Sequence, residues 1–295
     1  MLAEIERFVN WMRRRNPEAH TWRDYRCDLA QFVDVVGNRP PGEITYQDVD
    51  AFVAAQVDAG HKASTINRRL AAVLSFFTFL SDENPDLVCP VLPHRHSLRE
   101  RRRLPRPVSQ ADLEAFFAAI EDEADNALQV RDRAMFLLML RCGLRLCEVA
   151  RLKLRDLYLD ETPQRMVVFG KNSKERTVYL SKQAVFSLRR WLAERPSVPS
   201  DFVFLSYQNE GLSTTAIHKR LMVYRQRAGV HLTAHQLRHS FANDLVTADV
   251  PVTSIQKLLG HAWLSTTQTY VAANDPKVQA DFYAAAQQLA GWRDE

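Results

Sequence analysis

The segment TAHQLRHSFANDL, residues 233–245, crowds His235, Arg238 and His239 into one turn of a predicted helix, with no acid among its first seven residues. Positions three and four apart share a helix face, so these side chains either face solvent together or bind something negative. His235 and His239 also have the spacing of a zinc pair. Arg238 between them is unfavourable beside Zn²⁺, and no HExxH glutamate is present, so we predict no metal.

The second half of the chain contains further polar residues that a hydrophobic core does not require. They are an arginine with a glutamate three residues later, a lysine in a turn, a histidine just after a helix-ending glycine, and a tyrosine on a short helix. They are Arg145, Glu148, Lys171, His261 and Tyr270. Each has a structural explanation when taken alone, namely an ion pair, a solvated turn residue or a packing tyrosine. The competing interpretation is that all of these residues belong to one catalytic site.

Together with the helix cluster, these residues suit attack by a phenol oxygen on a phosphodiester. Guanidinium groups match the non-bridging oxygens bidentately and keep their protons. Preorganised donors of this kind contribute roughly 3–4 kcal/mol each to transition-state binding. A lysine or histidine can protonate the leaving oxygen, and the tyrosine becomes a covalent carrier. No carboxylate cluster suited to two Mg²⁺ accompanies the set.

The elements that position these residues follow from apolar spacing. We predict four helices near 2–15, 20–36, 46–59 and 63–81. After a linker we predict helices near 110–121, 131–143, 144–152, 182–194, 213–228, 235–248, 252–259, 266–272 and 276–291, and a hairpin of strands 165–169 and 175–180. The fold class is therefore a mainly α two-domain protein: residues 1–92 are helical, 93–107 form the linker, and 108–295 combine helices with a small antiparallel sheet.

Two basic segments could contact DNA. The fourth helix begins KASTINRRL, and its first turns could enter a groove through Lys62, Thr65, Asn67, Arg68 and Arg69. The proline-rich linker PHRHSLRERRRLPRP holds six arginines against one glutamate, among them Arg101, Arg102, Arg103 and Arg106. A solvated helix end and a solvated charge run are the alternative interpretations.

Composition excludes several other classes. The apolar fraction of 46% and charged fraction of 25% are those of an ordinary globular protein. No apolar run approaches the ~18 residues of a membrane span, and the N-terminus lacks the basic-then-apolar order of a signal peptide. Four cysteines without a CxxC pair and the absence of GxGxxG or GxxxxGK[ST] predict a cytoplasmic protein with no nucleotide cofactor.

The motifs GLRLCEVARL, GKNSKERTV, HQLRHSFAN, LLGHAWLSTTQTYV and STINRRLAAVLSFFTFL resemble those of the tyrosine recombinases of the phage integrase family, particularly Xer-like enzymes. The resemblance covers nearly the whole chain. It implies an N-terminal SAM-like core-binding domain, a mixed α/β catalytic domain, and no cofactor or metal. It also implies a double-stranded, inverted-repeat core site and a homotetramer on two duplexes, or a tetramer shared with a second recombinase.

The resemblance also implies a role for each matching position. Arg145 and Arg238 would bind the scissile phosphate, with Glu148 in support. Lys171 would protonate the leaving 5′ oxygen, His235 would assist proton transfer, and His261 would complete the site. Tyr270 would form a 3′-phosphotyrosine, leading to strand exchange through a Holliday junction.

The sequence does not distinguish between two biological roles for this reaction. One is the resolution of chromosome or plasmid dimers, and the other is the integration or excision of a mobile element. Two other functions remain as alternatives. One is a DNA-binding architectural factor that does not use catalysis, and the other is a relaxing enzyme like the type IB topoisomerases.

Overall fold

The computed structural model describes residues 1–17, 19, 21–100, 108–170 and 175–260. The chain divides into two compact units, with the boundary between residues 102 and 103. The described residues are mainly helical with one three-stranded antiparallel sheet, which confirms the predicted fold class. Among them, no helix has both the length and the apolar character that a membrane span requires.

The described part of the first unit contains the four predicted helices and a short fifth one. Their bounds are α1 Leu2–Arg15, α2 Thr21–Val36, α3 Tyr46–Asp58, α4 Ala63–Glu83 and α5 Pro93–His96. Each long helix turns an apolar stripe inward, and Phe32, Phe52 and Phe77 are fully buried where the stripes meet. The rings of Phe32 and Phe52 pack edge to face with centroids 5.2 Å apart, an arrangement worth ~0.5–1.5 kcal/mol beyond area burial.

Residues 93–100 pack on this unit, where the sequence predicted the start of a linker. The Nδ1 atom of buried His96 accepts a hydrogen bond from the backbone N–H of Leu92 at 2.9 Å. Arg95 binds the carboxylate of Asp50 with Nη2 at 2.6 Å and Nε at 3.0 Å. Polar contacts hold α5, so the spacing of apolar residues could not indicate it. The remaining linker arginines, Arg101, Arg102, Arg103 and Arg106, lie outside the described residues.

The second unit is built around α7. Eleven residues of this helix are buried, and it packs against α9 and α11. The bounds are α6 Gln110–Glu121, α7 Asn126–Cys142, α8 Leu146–Arg151, α9 Lys182–Glu194, α10 Thr214–Arg227, α11 Ala234–Thr247 and α12 Val252–Leu259. Side-chain caps at Ser109, Asp125, Ser181, Ser213 and Thr233 accept backbone N–H groups at the starts of five of these helices.

The sheet consists of β1 Leu157–Tyr158, β2 Arg165–Phe169 and β3 Glu175–Tyr179, in that order. β2 and β3 form the predicted hairpin, from the pair Arg165 and Tyr179 to the pair Phe169 and Glu175. Alternate side chains of β2 and β3 enter the core, which fixes this register. β1 was not predicted because its two residues carry no periodicity of their own.

Gly143 ends α7 in the left-handed conformation, with φ 65°. A Cβ atom there would overlap the ring of Phe241 and lie 3.0 Å from Cδ2 of Leu259. Glycine therefore serves two purposes at this position: it permits the positive φ and it allows α11 and α12 to approach the end of α7.

We expect Gly143→Ala to lower the free energy of unfolding through both effects. Backbone strain should cost about 1–3 kcal/mol, and overpacking should add ~1–3 kcal/mol. Gly229→Ala is the matched control, since Gly229 has φ 66° and no described atom lies within 4 Å of an added Cβ. Chemical denaturation of both variants measures the difference, and equal losses would show that the close approach at Gly143 costs nothing.

Candidate active site

Glu148 is the centre of the candidate site. Its side chain is fully buried on α8, three residues after Arg145, which occupies the N-cap position of that helix. The backbone N–H of Arg145 donates to Oε2 of Glu148 at 2.8 Å, and its Nη1 donates to Oε1 at 2.9 Å. The pair expected from i, i+3 spacing is therefore formed.

Arg176, the second residue of β3, binds the same carboxylate more completely. Its Nη1 donates to Oε1 of Glu148 at 2.6 Å and its Nη2 to Oε2 at 2.9 Å, while Nε donates to the carbonyl of Leu258 at 3.1 Å. Sequence reasoning missed this residue. Its alternation in the strand pointed to a sheet position, and its partners lie 28 and 82 residues away.

Arg238 joins the ends of two helices. The residue is 2% exposed on α11. Its Nη1 donates to the carbonyl of Gly143 at 2.5 Å and its Nη2 to the carbonyl of Leu259 at 2.6 Å, and Nη1 lies 3.8 Å from Oε2 of Glu148. Helix C-terminal carbonyls carry partial negative charge, which favours a guanidinium there.

Three consecutive carbonyls at the end of α12 thus each accept a hydrogen bond from a different arginine. The carbonyl of Leu258 accepts from Arg176 and that of Leu259 accepts from Arg238. Nη2 of Arg145 donates to the carbonyl of Gly260 at a longer 3.5 Å. Gly260 is the left-handed C-cap predicted for this helix. The point at which the chain leaves α12 is therefore held to α8, β3 and α11.

Among the described residues of this cluster, three guanidinium groups surround one carboxylate, so positive charge is in excess. Burial alone would raise the pKa of Glu148, but the hydrogen bonds and charges of Arg176 and Arg145 outweigh it and lower the pKa. Glu148 is ionised at neutral pH and neutralises one of the three arginines. The remaining charge makes the cluster suited to an anion.

His235 and His239 lie side by side on α11, their rings edge to face with centroids 4.2 Å apart. His235 is exposed at the helix start, but partial loss of water together with Arg238 and Arg145 lowers its pKa. Burial, with contributions from His235 and Arg238, lowers the pKa of His239 to about 4. Both imidazoles are therefore neutral at pH 7. No group of three His, Cys, Asp or Glu side chains suited to a metal occurs in the described ranges.

Three predicted site residues, Lys171, His261 and Tyr270, lie outside the described residues, as do the two helices predicted near 266–272 and 276–291. The described residues nearest to Lys171 and His261 in the chain lie in the catalytic unit. Phe169 and Glu175 close the hairpin on either side of Lys171, and Gly260 immediately precedes His261. The structure therefore brings together Arg145, Glu148, His235 and Arg238.

The predicted DNA-contacting face of α4 is partly used inside the first unit. Nδ2 of Asn67 donates to the Leu98 carbonyl at 2.9 Å and to Oε1 of Glu100 at 2.8 Å. Arg69 is buried and donates to Oε1 of Gln56. Partners that no local pattern shows therefore bind these two side chains within the first unit, and a DNA contact by Asn67 or Arg69 stays a prediction.

Lys62, at the N-cap of α4, and Arg68 on that helix are exposed, and Thr65 is half-buried. Nη2 of Arg68 donates to Oδ1 of Asp28 at 2.8 Å. Asp28 is itself buried, and that burial raises its pKa in spite of Arg68 and Arg69. A DNA contact by Lys62, Thr65 or Arg68 stays a prediction.

Two protein-family profiles and several known sequences match this chain. The profile described as Phage integrase family matches residues 107–277, and that described as Phage integrase, N-terminal SAM-like domain, matches residues 5–84. Tyrosine recombinase XerC of Alcanivorax borkumensis is 32% identical over 266 residues, covering 88% of this chain and 84% of the relative.

Solved structures share the fold. XerH site-specific recombinase bound to palindromic difH substrate, a post-cleavage complex, superposes with a TM-score of 0.78 at 23% identity, covering 95% of this chain and 84% of that one. A lambda integrase tetramer bound to a Holliday junction superposes with a TM-score of 0.71 at 17% identity, covering 91% and 76%.

The two-domain fold and the sequence relatives define a site-specific tyrosine recombinase, a DNA-binding enzyme of recombination. The family profile spans more than half of the sequence and the relative covers most of it, so the chain belongs to the phage integrase family. The alternatives of an architectural factor and a relaxing enzyme are not favoured by these relatives.

Proposed function

We propose that the recombinase cuts and rejoins DNA through a 3′-phosphotyrosine formed by Tyr270, with Arg145 and Arg238 binding the scissile phosphate. The gathering of three guanidinium groups around the buried carboxylate of Glu148 carries this proposal. Its excess positive charge complements the charge that builds on the non-bridging oxygens as a phosphodiester is attacked.

The proposed reaction needs one group to accept the proton of the attacking phenol and another to protonate the leaving oxygen. The phenol oxygen of Tyr270 bonds to phosphorus while the bond to the 5′ oxygen breaks. The lowered pKa of His235 keeps its imidazole neutral, so that it can accept the phenol proton. Lys171 gives a proton to the leaving 5′ oxygen, and His261 donates to the phosphate. Rejoining reverses these steps with the 5′ hydroxyl of the partner strand.

The partner is double-stranded DNA with an inverted-repeat core site, in line with the palindromic substrate in the XerH complex. Contacts come from the start of α4 and from the linker: Lys62, Thr65, Asn67, Arg68, Arg69, Arg101, Arg102, Arg103 and Arg106. The active assembly is a tetramer on two duplexes, either of four copies of this chain or shared with a second recombinase. The tetramer of lambda integrase on a Holliday junction supports that arrangement. The protein works in the cytoplasm, without a metal or cofactor.

The test is incubation with a nicked suicide duplex carrying the core site. We expect a covalent protein–DNA adduct at the 3′ phosphate that forms equally in EDTA and is absent with Tyr270→Phe. Tyr207→Phe is a matched control, since Tyr207 is 80% exposed in the loop before α10, and it should form the adduct at the normal rate.

An adduct that persists in Tyr270→Phe would assign the nucleophile to another residue. Loss of the adduct in EDTA would contradict the metal-free mechanism.

A further inference from the structure

Arg176 connects three parts of the catalytic unit through one guanidinium group. It lies on β3, binds both oxygens of Glu148 on α8, and donates to the Leu258 carbonyl in the last turn of α12. Its side chain is 10% exposed, so solvent screens these contacts little. Neither the expected catalytic set nor the DNA-contacting set includes this residue.

We propose that Arg176 is a positioning residue that fixes the end of α12 to the Glu148 carboxylate, so that the chain beyond Gly260 starts from a defined point. The inference rests on the proposed function, in which that segment supplies His261 and Tyr270. In this role Arg176 acts through Glu148 and the end of α12 and does not itself touch DNA.

The element that depends on this contact is α12 rather than the hairpin. Five residue pairs set the register of β2 and β3, and Met166, Val168 and Val178 anchor both strands in the main core. By contrast, α12 is eight residues long, and its buried Ile255 and Leu259 belong to a small separate cluster with Ala242. A helix with so little buried surface needs polar contacts to fix its end.

The local geometry explains why an arginine is needed. A planar guanidinium can offer two donors to a carboxylate and a third to a carbonyl at once, whereas an ammonium offers its donors from a single nitrogen. Gly260 lets the side chain of Arg176 lie along the turn, since an added Cβ would be 2.8 Å from Cδ of Arg176. Arg176→Lys therefore keeps the charge near Glu148 while losing the simultaneous hold on Leu258.

The experiment compares Arg176→Lys with wild type in the full chain on the nicked suicide duplex. We expect single-turnover cleavage to slow by about 10²-fold, the scale of a misplacement near 1 Å, with DNA affinity unchanged. Hydrogen exchange should rise by about 10-fold for the last turn of α12 and stay unchanged for α11. A duplex with sulfur in place of the bridging 5′ oxygen should not restore the rate, because its leaving group needs no proton and the defect lies elsewhere.

Arg131→Lys is the matched control. Arg131 is also buried, donating to Asp132 at 2.9 Å and to the Leu205 carbonyl at 2.8 Å. It should lose thermal stability but cleave at the wild-type rate. If Arg176→Lys does not fold, Gly260→Ala tests the same contact from the other side and should give the same slow cleavage, while Gly229→Ala, with the same left-handed φ and no nearby atom, controls for backbone strain.

Cleavage by Arg176→Lys at the rate of Arg131→Lys would overturn the inference, as would rescue by the sulfur-containing duplex, which would assign the defect to protonation of the leaving group. Failure of the proposed function has a different signature. In that case, wild type forms no adduct or Tyr270→Phe retains it, whereas exchange at the end of α12 still responds to Arg176→Lys.

Discussion

Arg238→Ala is expected to slow DNA cleavage by about 10²–10³-fold, the loss typical of one preorganised donor to a transition state. Arg238 is buried beside Glu148 and held by two backbone carbonyls, so its guanidinium is oriented before DNA arrives. Affinity for the core duplex should change little, because most of it comes from contacts along the phosphate backbone. Single-turnover cleavage and a binding titration, at one salt concentration, measure the two effects.

Arg238→Ala also removes two hydrogen bonds that stabilise the fold. The carbonyls of Gly143 and Leu259 lose their partner, and each buried group left without one costs about 1–3 kcal/mol of stability. Arg131→Ala should show a similar drop in unfolding free energy without the kinetic defect, and it therefore separates stability from chemistry. If Arg238→Ala lost binding in proportion to cleavage, Arg238 would be a phosphate anchor and not a transition-state clamp.

The second large effect is expected for Glu148→Gln. Removing the negative charge leaves Arg145, Arg176 and Arg238 together without a carboxylate, and breaking a buried ion pair typically costs ~3–5 kcal/mol. Cleavage should fall as well, because Glu148 holds Arg145 through both the backbone and the side chain. Chemical denaturation at pH 7 measures the loss of stability. Glu114→Gln, which changes an exposed carboxylate on α6, is the control and should stay near wild type.

The pH dependence of this difference has a definite sign. The pKa of Glu148 is lowered in the folded protein from its ordinary 4.5. Its contribution to stability is therefore fully present above pH 4.5 and declines as the pH falls below that value toward the folded pKa. The gap between wild type and Glu148→Gln should be constant from pH 7 to 5 and shrink below 4.5. A gap that widened on acidification would mean that Glu148 is protonated in the native state.

Local patterns predicted most of the fold. The long helices were visible because each buries one stripe of apolar residues, and Gly143 and Gly260 marked two helix ends correctly. Elements without such a stripe were missed. α5 is held by the ion pair of Arg95 with Asp50 and by the hydrogen bond from the Leu92 N–H to His96, and β1 exists only through its pairing with β2.

The site was predictable only in part, for a related reason. The spacing of Arg145 and Glu148 predicted their contact, since side chains at positions i and i+3 are neighbours on a helix. The partners of Arg69 and Arg176 lie 13 and 82 residues away in the chain, and no local pattern encodes these contacts. An arginine in a basic segment looks the same in sequence whether it faces DNA or a buried partner.

The hydrogen bonds that gather the arginines span long stretches of sequence: 95 residues from Arg238 to Gly143, 82 from Arg176 to Leu258, and 115 from Arg145 to Gly260. Each of these contacts closes a large loop, and the chain must lose the corresponding entropy before the contact can form. On the ribosome, a chain synthesised only as far as α11 has no carbonyls from α12 to complete the cluster. In the proposed function, cutting is thereby coupled to synthesis of the catalytic unit through the end of α12.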